Sequence, residues 1–558
     1  MKAIQTALAS AIQTLFKLDV EPELTRPDEQ FGDYATNVAL QLAGRLRQKP
    51  RDIAEAIVAE LKKELGEEVS DITIAGPGFI NITLSDSALT HAALEAPNTQ
   101  PTTYAGQKIL TEYSDPNPFK PLHAGHLYTT LVGDSISRLI ERAGAQIVRL
   151  NYGGDVGLHV GKSMWSIIKY LGGELPDKLA DIPEAERPQW LGARYVEGNR
   201  AYETDESAKA EIVATNKKVY QLHETDDHDS PFAHIYWTCR QWSYDYFARL
   251  YTELQVKPFD RFIPESDVTP LGLETVQEQL KNGVFTRSDG AVVFNGEQFD
   301  LHTRVFINSD GLPTYETKDV GLSLTKWRDY HFDRSIIITA NEQEQYMQVV
   351  LAAIKQFAPE PAERTRHLTH GVVKLQGGVK ISSRKGNGPT ALDILAAARE
   401  AGAETGTDPS EETILAAVKY AFAKNRIGGD VIYDPKESIA LEGNSGPYLQ
   451  YAHARARSIL RKAASKSGTI ADMQADERTL ARKIGEYPEV VQKAVLELMP
   501  HHICTYLYEL AQTFNRFYER NRVIDDPRQD ARLHLVEIYA DVLKDGLSLL
   551  GIAAPEKL

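Results

Sequence analysis

The sequence predicts an α/β protein in three parts: a small α+β unit over residues 1–105, a parallel-sheet unit over 106–390, and an all-helical unit over 391–558. Three observations carry this. A strand, a helix and a second strand follow one another between 109 and 151, the order of a right-handed βαβ unit. Beyond 391 the apolar residues recur at helical spacing. The stretch 97–106, PNTQPTTYAG, reads as a linker between the first two parts. A chain of 558 residues is also too long for one compact core.

In the first part, Pro50 marks a helix start, and Ile53, Ile57, Val58 and Leu61 recur on one face before Gly66 ends it. The segment 72–83 is strand-like and contains AGPGFINI, where Gly76, Pro77 and Gly78 force a turn between extended pieces. The grammar changes at Lys108. Residues 109–114 form a short strand, a Pro-rich turn follows, Leu127, Leu131, Leu139 and Ile140 mark a helix, and 147–151 form the next strand. Further strands are expected at 335–339 and 371–375, which completes a Rossmann-like parallel sheet. A charged, helix-rich insertion occupies roughly 170–255. The last helix sets Leu535, Val536, Tyr539, Val542, Leu543, Leu547 and Leu550 on one side.

Composition narrows the function classes. No apolar run reaches the ~20 residues that span a bilayer, and MKAIQTALASAIQTLFKLDV is amphipathic rather than a signal peptide. Cys239 and Cys504 stand alone, against a disulfide framework and against a structural zinc held by thiolates. A soluble cytoplasmic protein is expected. The net charge of −16 neither supports nor excludes nucleic acid, because local patches decide that contact.

The chemistry lies in two segments. SDPNPFKPLHAGH, residues 114–126, falls between the first strand of the sheet and its helix, where an open α/β sheet binds ligand. A helix N-terminus there offers N–H groups and a positive dipole end to a phosphate. His123 and His126 add ring donors for charge growing on an α-phosphate, and Gly125 leaves room for a flat base against the backbone. The second segment, KISSRKGN at 380–387, sets Lys380, Arg384 and Lys385 beside Ser382 and Ser383, a basic loop able to close over a triphosphate. Alone, such a loop is an ordinary solvated turn. Its meaning comes from the upstream partner.

HAGH after the first strand and KISSRKGN after a late one resemble the HIGH and KMSKS signatures of class I aminoacyl-tRNA synthetases. Longer stretches narrow the resemblance to the arginyl-tRNA synthetases: TEYSDPNPFKPLHAGHLYTTLVGDSISRLIERAG, NYGGDVG, SDGLPTYETKDVG and EGNSGPYLQYAHARARSIL. FGDYATNVA and AGPGFINI resemble that family's additional tRNA-contacting domain; FNRFYERNRVI and LKDGLSLLGIAAPEKL resemble its helical anticodon-binding domain. The resemblance spans nearly the whole chain.

The resemblance implies an ATP-dependent arginine–tRNA ligase, with Mg²⁺ accompanying the nucleotide and arginine passing first to the 2′-hydroxyl of the terminal adenosine. A guanidinium is met best by a carboxylate in fork geometry. Tyr315 and Asp319, four apart on a helix, face one way and match the family's side-chain-recognising positions. Glu112, Asn117 and Gln343 match positions for the substrate's polar ends or side chain. Asp155, in the GGDVG turn, can hold substrate or cap a helix. The chain departs from the family at His159, where Gln is expected, and at Tyr346, where His is common. Lys120 matches a position where some members carry a Lys in place of a complete KMSKS loop; this chain has both. Members typically need bound tRNA before they activate arginine.

For tRNA, Tyr448, Tyr451 and Arg455 follow helical spacing and suit base stacking and phosphate contact. Phe514, Arg516, Phe517, Tyr518, Arg520 and Arg522 form a second such cluster. Phe79 and Asn81 match positions at which the family contacts the tRNA elbow. The expected partners are tRNA(Arg), arginine and ATP, with no membrane, and the protein is expected to be a monomer. A small HxGH nucleotidylyltransferase lacks the helical C-terminal third. A catalytically silent tRNA-binding paralogue has no reason to keep His123, His126 and Lys380.

Overall fold

The computed structural model describes residues 2–376, 389–406, 409–463, 468, 470 and 472–557. The basic loop at 380–387, with Lys380, Ser382, Ser383, Arg384 and Lys385, lies outside the described residues.

The N-terminal unit is a three-stranded antiparallel sheet, β1 (Tyr34–Thr36), β2 (Val69–Ala75) and β3 (Phe79–Leu84), in the order β1-β3-β2. Helices Lys2–Phe16, Val38–Leu46 and Pro50–Leu65 cover it. Pro50 is the first residue of its helix, and Ile53, Ile57, Val58 and Leu61 are buried. Ala75 pairs with Phe79 across the Gly-Pro-Gly turn, where Gly76 takes φ 53° and Gly78 φ 147°. Arg478 of the C-terminal helices pairs with Asp33 at 2.6 Å and Asp86 at 2.8 Å, and Arg26 binds Glu489 at 2.7 Å. These ion pairs dock the N-terminal unit on the C-terminal helices. The stretch 97–106 is also anchored, with Tyr104 buried and its hydroxyl donating to the Val495 carbonyl.

The central sheet contains β4 (Lys108–Glu112), β5 (Gln146–Gly153), β6 (Arg261–Pro264), β10 (Arg334–Ala340) and β11 (Thr365–His370), in the order β11-β10-β4-β5-β6, every neighbouring pair parallel. The chain winds outward from β4 to β6 and returns on the other side through β10 and β11. The reversal between β4 and β10 opens a crevice at their carboxyl ends. Between β6 and β10 lie a small antiparallel sheet of β7 (Thr286–Ser288), β8 (Ala291–Phe294) and β9 (Arg304–Ile307), and two helices, Glu265–Lys281 and Tyr315–Tyr330. The insertion is helical as expected, with Arg187–Thr204, Glu206–Glu224 and Pro231–Glu253.

Two expectations shift. The strand expected at 371–375 is a short one, β12 (Val373–Leu375), which pairs outside the central sheet with β13 (Val431–Tyr433). The fifth strand of the central sheet is β11, whose polar run TRHLTH gave no strand signal. β13 also interrupts the run of helices after 391. The last helix is Gln529–Leu549, and all seven of its expected inward residues are buried, Leu550 lying at its cap.

Candidate active site

The cleft over the β4/β10 reversal has a volume of about 580 Å³. Its floor comes from the ends of β4 and β10, one wall from the helix Ala124–Arg142, and another from the helices Tyr315–Tyr330 and Glu344–Lys355. Gly133 lets that first helix close on β4, because a Cβ there would stand 2.3 Å from the Tyr113 ring. Ser114 and Asp115, leaving β4, both adopt left-handed φ of 76° and 47°. Such strain persists only where the surroundings over-determine it: Ser114 Oγ pairs with the Tyr251 and Thr130 hydroxyls, and Asp115 Oδ1 accepts the Tyr152 N–H.

The two histidines are not equivalent. His123 caps the helix Ala124–Arg142, its Nδ1 accepting from Gly125 N at 3.1 Å and His126 N at 3.3 Å. The expected open N–H groups of this helix start are therefore met by the His123 ring. That ring also fills the space above Gly125 where a flat base was expected, since a Cβ there would lie 2.9 Å from it. The rings of His123 and His126 stack at 3.8 Å. The buried Nδ1 of His126 has no partner among the described residues. Burial, with Lys120 and His370 nearby, holds His123 down to about 4, and burial beside His123 and Lys120 holds His126 well below its ordinary value. Both are neutral at pH 7. Lys120 lies 5.3 Å over the Tyr195 ring; burial lowers its pKa, and no carboxylate pairs with it among the described residues.

The opposite end of the cleft is acidic. Glu112, Asp115, Glu265, Glu316, Asp319 and Glu342 line it against Lys120 and Arg304. Two buried lysines stand behind: Lys326 holds Glu112 at 2.7 Å and Lys318 holds Glu265 at 2.5 Å. Among the described residues Asp319 has no such cation. Burial, with Glu112 and Glu265 nearby, pushes its pKa up to about 7 despite a hydrogen bond from the Tyr346 hydroxyl. Asp115 is raised by burial and by Glu112. Among the described residues, Asp319 is thus a buried carboxylate of the pocket without an ion-pair partner.

Tyr315 and Asp319 both line the cleft, as do Glu112, Asn117 and Gln343. Asn117 Oδ1 accepts the Gly154 N–H at 3.1 Å. His159 braces the wall: one ring nitrogen bonds the Gly154 carbonyl at 2.7 Å and the other the Tyr315 hydroxyl at 3.3 Å. Of the two roles open to Asp155, the structure favours capping. It is buried, accepts the Ser266 N–H at the start of Glu265–Lys281 and pairs with Arg240 at 2.9 Å. Sequence reasoning missed Asp115, Glu265, Arg304 and His370, whose positions bear no local signal. His370 ends β11, with Nε2 on the Thr129 hydroxyl. Residues on the far side of the undescribed loop return here too, since Ala124 N–H donates to Pro389 O and Ala391 N–H to Leu122 O.

Of the expected tRNA residues, Tyr451, Arg516 and Phe79 are exposed, and Arg455 lies over the Tyr518 ring at 5.0 Å. Tyr448 is half-buried and accepts from Asn515 at 2.9 Å; Asn81 is buried in the N-terminal sheet. Phe514 is corrected. It is fully buried and stacks on Tyr539 at 4.0 Å, so it is core between helices, as is Phe517. Phe514→Ala is expected to lower stability by about 3–5 kcal/mol, read by denaturant unfolding, while tRNA affinity below the transition stays unchanged.

A doubly wound parallel sheet, two neutral histidines at its first helix and an acid-lined pocket opposite define a class I aminoacyl-tRNA synthetase. The catalytic domain model for class I (R) tRNA synthetases matches residues 88–434, the arginyl tRNA synthetase N terminal domain 2–84, and the DALR anticodon binding domain 449–558. The chain belongs to the arginyl-tRNA synthetase family. An arginine–tRNA ligase of Thermobifida fusca is 31% identical, spanning 100% of this chain and 98% of its own. One from Lactobacillus delbrueckii is 30% identical over 97% and 96%. The solved Thermus thermophilus arginyl-tRNA synthetase superposes with a TM-score of 0.79 at 25% identity, covering 100% of both chains. None of these relatives lends support to a catalytically silent paralogue.

Proposed function

We infer that the chain is an arginine–tRNA ligase, activating arginine with ATP to arginyl-adenylate and pyrophosphate and then charging tRNA(Arg). One observation carries the arginine specificity: a buried carboxylate, Asp319, that no cation pairs among the described residues, while the buried lysines behind it, Lys318 and Lys326, are committed to Glu265 and Glu112. A guanidinium supplies the missing charge with fork geometry. Tyr315, Glu112, Asn117 and Gln343 are the further arginine-binding residues in this reading.

ATP binds on the histidine side, where His123, His126, Gly125 and Lys120 line the cleft. His126 and Lys120 meet the charge developing on the α-phosphate, and Lys380, Ser382, Ser383, Arg384 and Lys385 share that work from the basic loop. His123 holds the helix that carries His126. Mg²⁺ accompanies the triphosphate, bound chiefly by phosphate oxygens and water; among the described residues no three-ligand metal cage competes with that arrangement. The carboxylate of arginine attacks the α-phosphorus and pyrophosphate leaves; the 2′-hydroxyl of the terminal adenosine then attacks the activated carbonyl, losing its proton as the bond to the adenylate phosphate breaks and AMP leaves. Positioning and charge stabilisation do the catalysis.

The tRNA spans Phe79 and Asn81 in the first unit (1–105) and Tyr448, Tyr451, Arg455 and Arg516 in the helical unit (391–558), with 106–390 catalytic. Bound tRNA completes the arginine pocket; arginine-dependent ATP–pyrophosphate exchange without tRNA would overturn this. The protein acts as a cytoplasmic monomer, and no described helix is long and apolar enough to cross a membrane. The deciding experiment is aminoacylation of total tRNA with each labelled amino acid. Charging by arginine alone is expected; tight tRNA binding without charging sinks the ligase reading.

Asp319 gives arginine recognition a pH dependence. The guanidinium binds the ionised carboxylate, which at about 7 is half protonated in the free site. Arginine KM is expected to rise as pH falls below 7, by about tenfold per unit at the limit, and to level off above 8. A flat KM between pH 6 and 8 would remove Asp319 from the binding step.

A further inference from the structure

Tyr346 stands on the helix Glu344–Lys355, beside the helix that carries Asp319, and its hydroxyl donates to Asp319 Oδ2. No other hydrogen-bond donor reaches that carboxylate among the described residues. The phenol ring is itself located by Arg304 of β9, whose guanidinium lies 5.4 Å over it and pairs with Glu316 at 3.2 Å. The charged groups around Asp319 come from every side: Glu112 and Asp115 from the end of β4, Glu265 from the helix after β6, and Lys326 from its own helix, with the Tyr152 phenol from β5. Carboxylates prevail among them, and Lys326 and Lys318 are committed to Glu112 and Glu265. Among the described residues, the Tyr346 hydroxyl is the only group that directly favours the charged form of Asp319 by a hydrogen bond.

We propose that Tyr346 is a positioning residue for arginine, whose hydroxyl fixes the Asp319 carboxylate in the orientation and ionised form that a guanidinium needs, leaving Oδ1 open to it. This rests on Asp319 being the guanidinium acceptor. The hydroxyl occupies one oxygen, which stops the carboxylate from turning, and it opposes burial and the neighbouring acids. Removing it raises the proton affinity of Asp319, so arginine competes with a proton over a wider pH range. The phenol touches Asp319 rather than the reacting atoms, so its removal leaves the chemical step alone.

The test is aminoacylation of tRNA at varied arginine between pH 6.5 and 9, comparing the parent with Tyr346→Phe, and with Asp319→Asn alongside. Tyr346→Phe should raise the arginine KM about fivefold at pH 7, the effect of raising the Asp319 pKa by about one unit from about 7. The ratio to the parent should shrink to near one at pH 9, with kcat and the KM for ATP nearly unchanged. A ratio near one throughout, or a raised ratio independent of pH, overturns the proposal; the second is what lost packing alone produces. Calorimetry in two buffers of different ionisation enthalpy reads the same effect without turnover: the Phe variant should release more protons than the parent on binding arginine at pH 7, and equal release overturns it. If Asp319→Asn leaves the arginine KM unaltered, the underlying reading of Asp319 fails. If that variant is crippled while Tyr346→Phe behaves as the parent, only the role of Tyr346 fails.

Discussion

Asp319→Asn should lower kcat/KM for arginine by about 10²–10⁴-fold, the loss expected when one partner of a desolvated charge pair is removed. The substitution keeps shape and replaces a carboxylate oxygen with an N–H donor, which faces the donors of the guanidinium. Its acidic neighbours Glu112 and Glu265 are poor substitutes, because they are held by Lys326 and Lys318. The variant should melt above the parent in the absence of substrates. A carboxyl held up to about 7 in the folded protein destabilises it at neutral pH relative to the unfolded chain, where the group ionises freely. Greater stability with lost arginine binding is what a functional carboxylate produces. Retained arginine charging would show that the guanidinium lies elsewhere. The ATP KM serves as the control, since the histidines stand on the other side of the cleft.

His126→Ala should lower kcat by about 10²–10³-fold, the cost of removing one donor aimed at a developing charge, with the arginine KM little changed. His126 packs on the His123 ring and has a buried Nδ1 without a partner among the described residues. His123→Asn should behave differently. Asn is an N-cap residue and can accept the N–H groups that His123 now caps, so helix stability is kept while the stacking surface for His126 is lost. An intermediate loss in kcat is expected. Equal collapse of both variants, with unfolding, would mean that the pair is structural. Single-turnover adenylate formation in the presence of tRNA separates these outcomes from effects on product release.

Local signals in the chain carried much of this architecture. The βαβ unit was legible because Ile109 and Leu110 sit in a buried parallel strand and Leu127, Leu131, Leu139 and Ile140 repeat on one helix face. The Gly-Pro-Gly turn of the first sheet was legible because positive φ favours glycine. β11 was not: TRHLTH lacks apolar alternation, and its place in the sheet is earned by parallel pairing with β10. Phe514 and Tyr451 illustrate the limit for surfaces. Both sit in aromatic, arginine-rich helices, yet one is stacked in the core and the other exposed. Helical spacing tells which residues share a face; which face is covered depends on the neighbouring helix.

By itself the sequence determined the family, the three-part order of the chain, and the residue types at the site from Glu112 to Gln343, because motifs and periodicity are properties of residues close together in the chain. The tertiary structure alone decided the charge balance of the pocket. Glu112 meets Lys326 and Asp319 meets Tyr346 across long stretches of sequence, and Glu265 meets Lys318 from a neighbouring helix. Whether a carboxylate is satisfied or left waiting for a guanidinium depends on which groups burial brings within hydrogen-bonding reach, and only the packed fold fixes those distances.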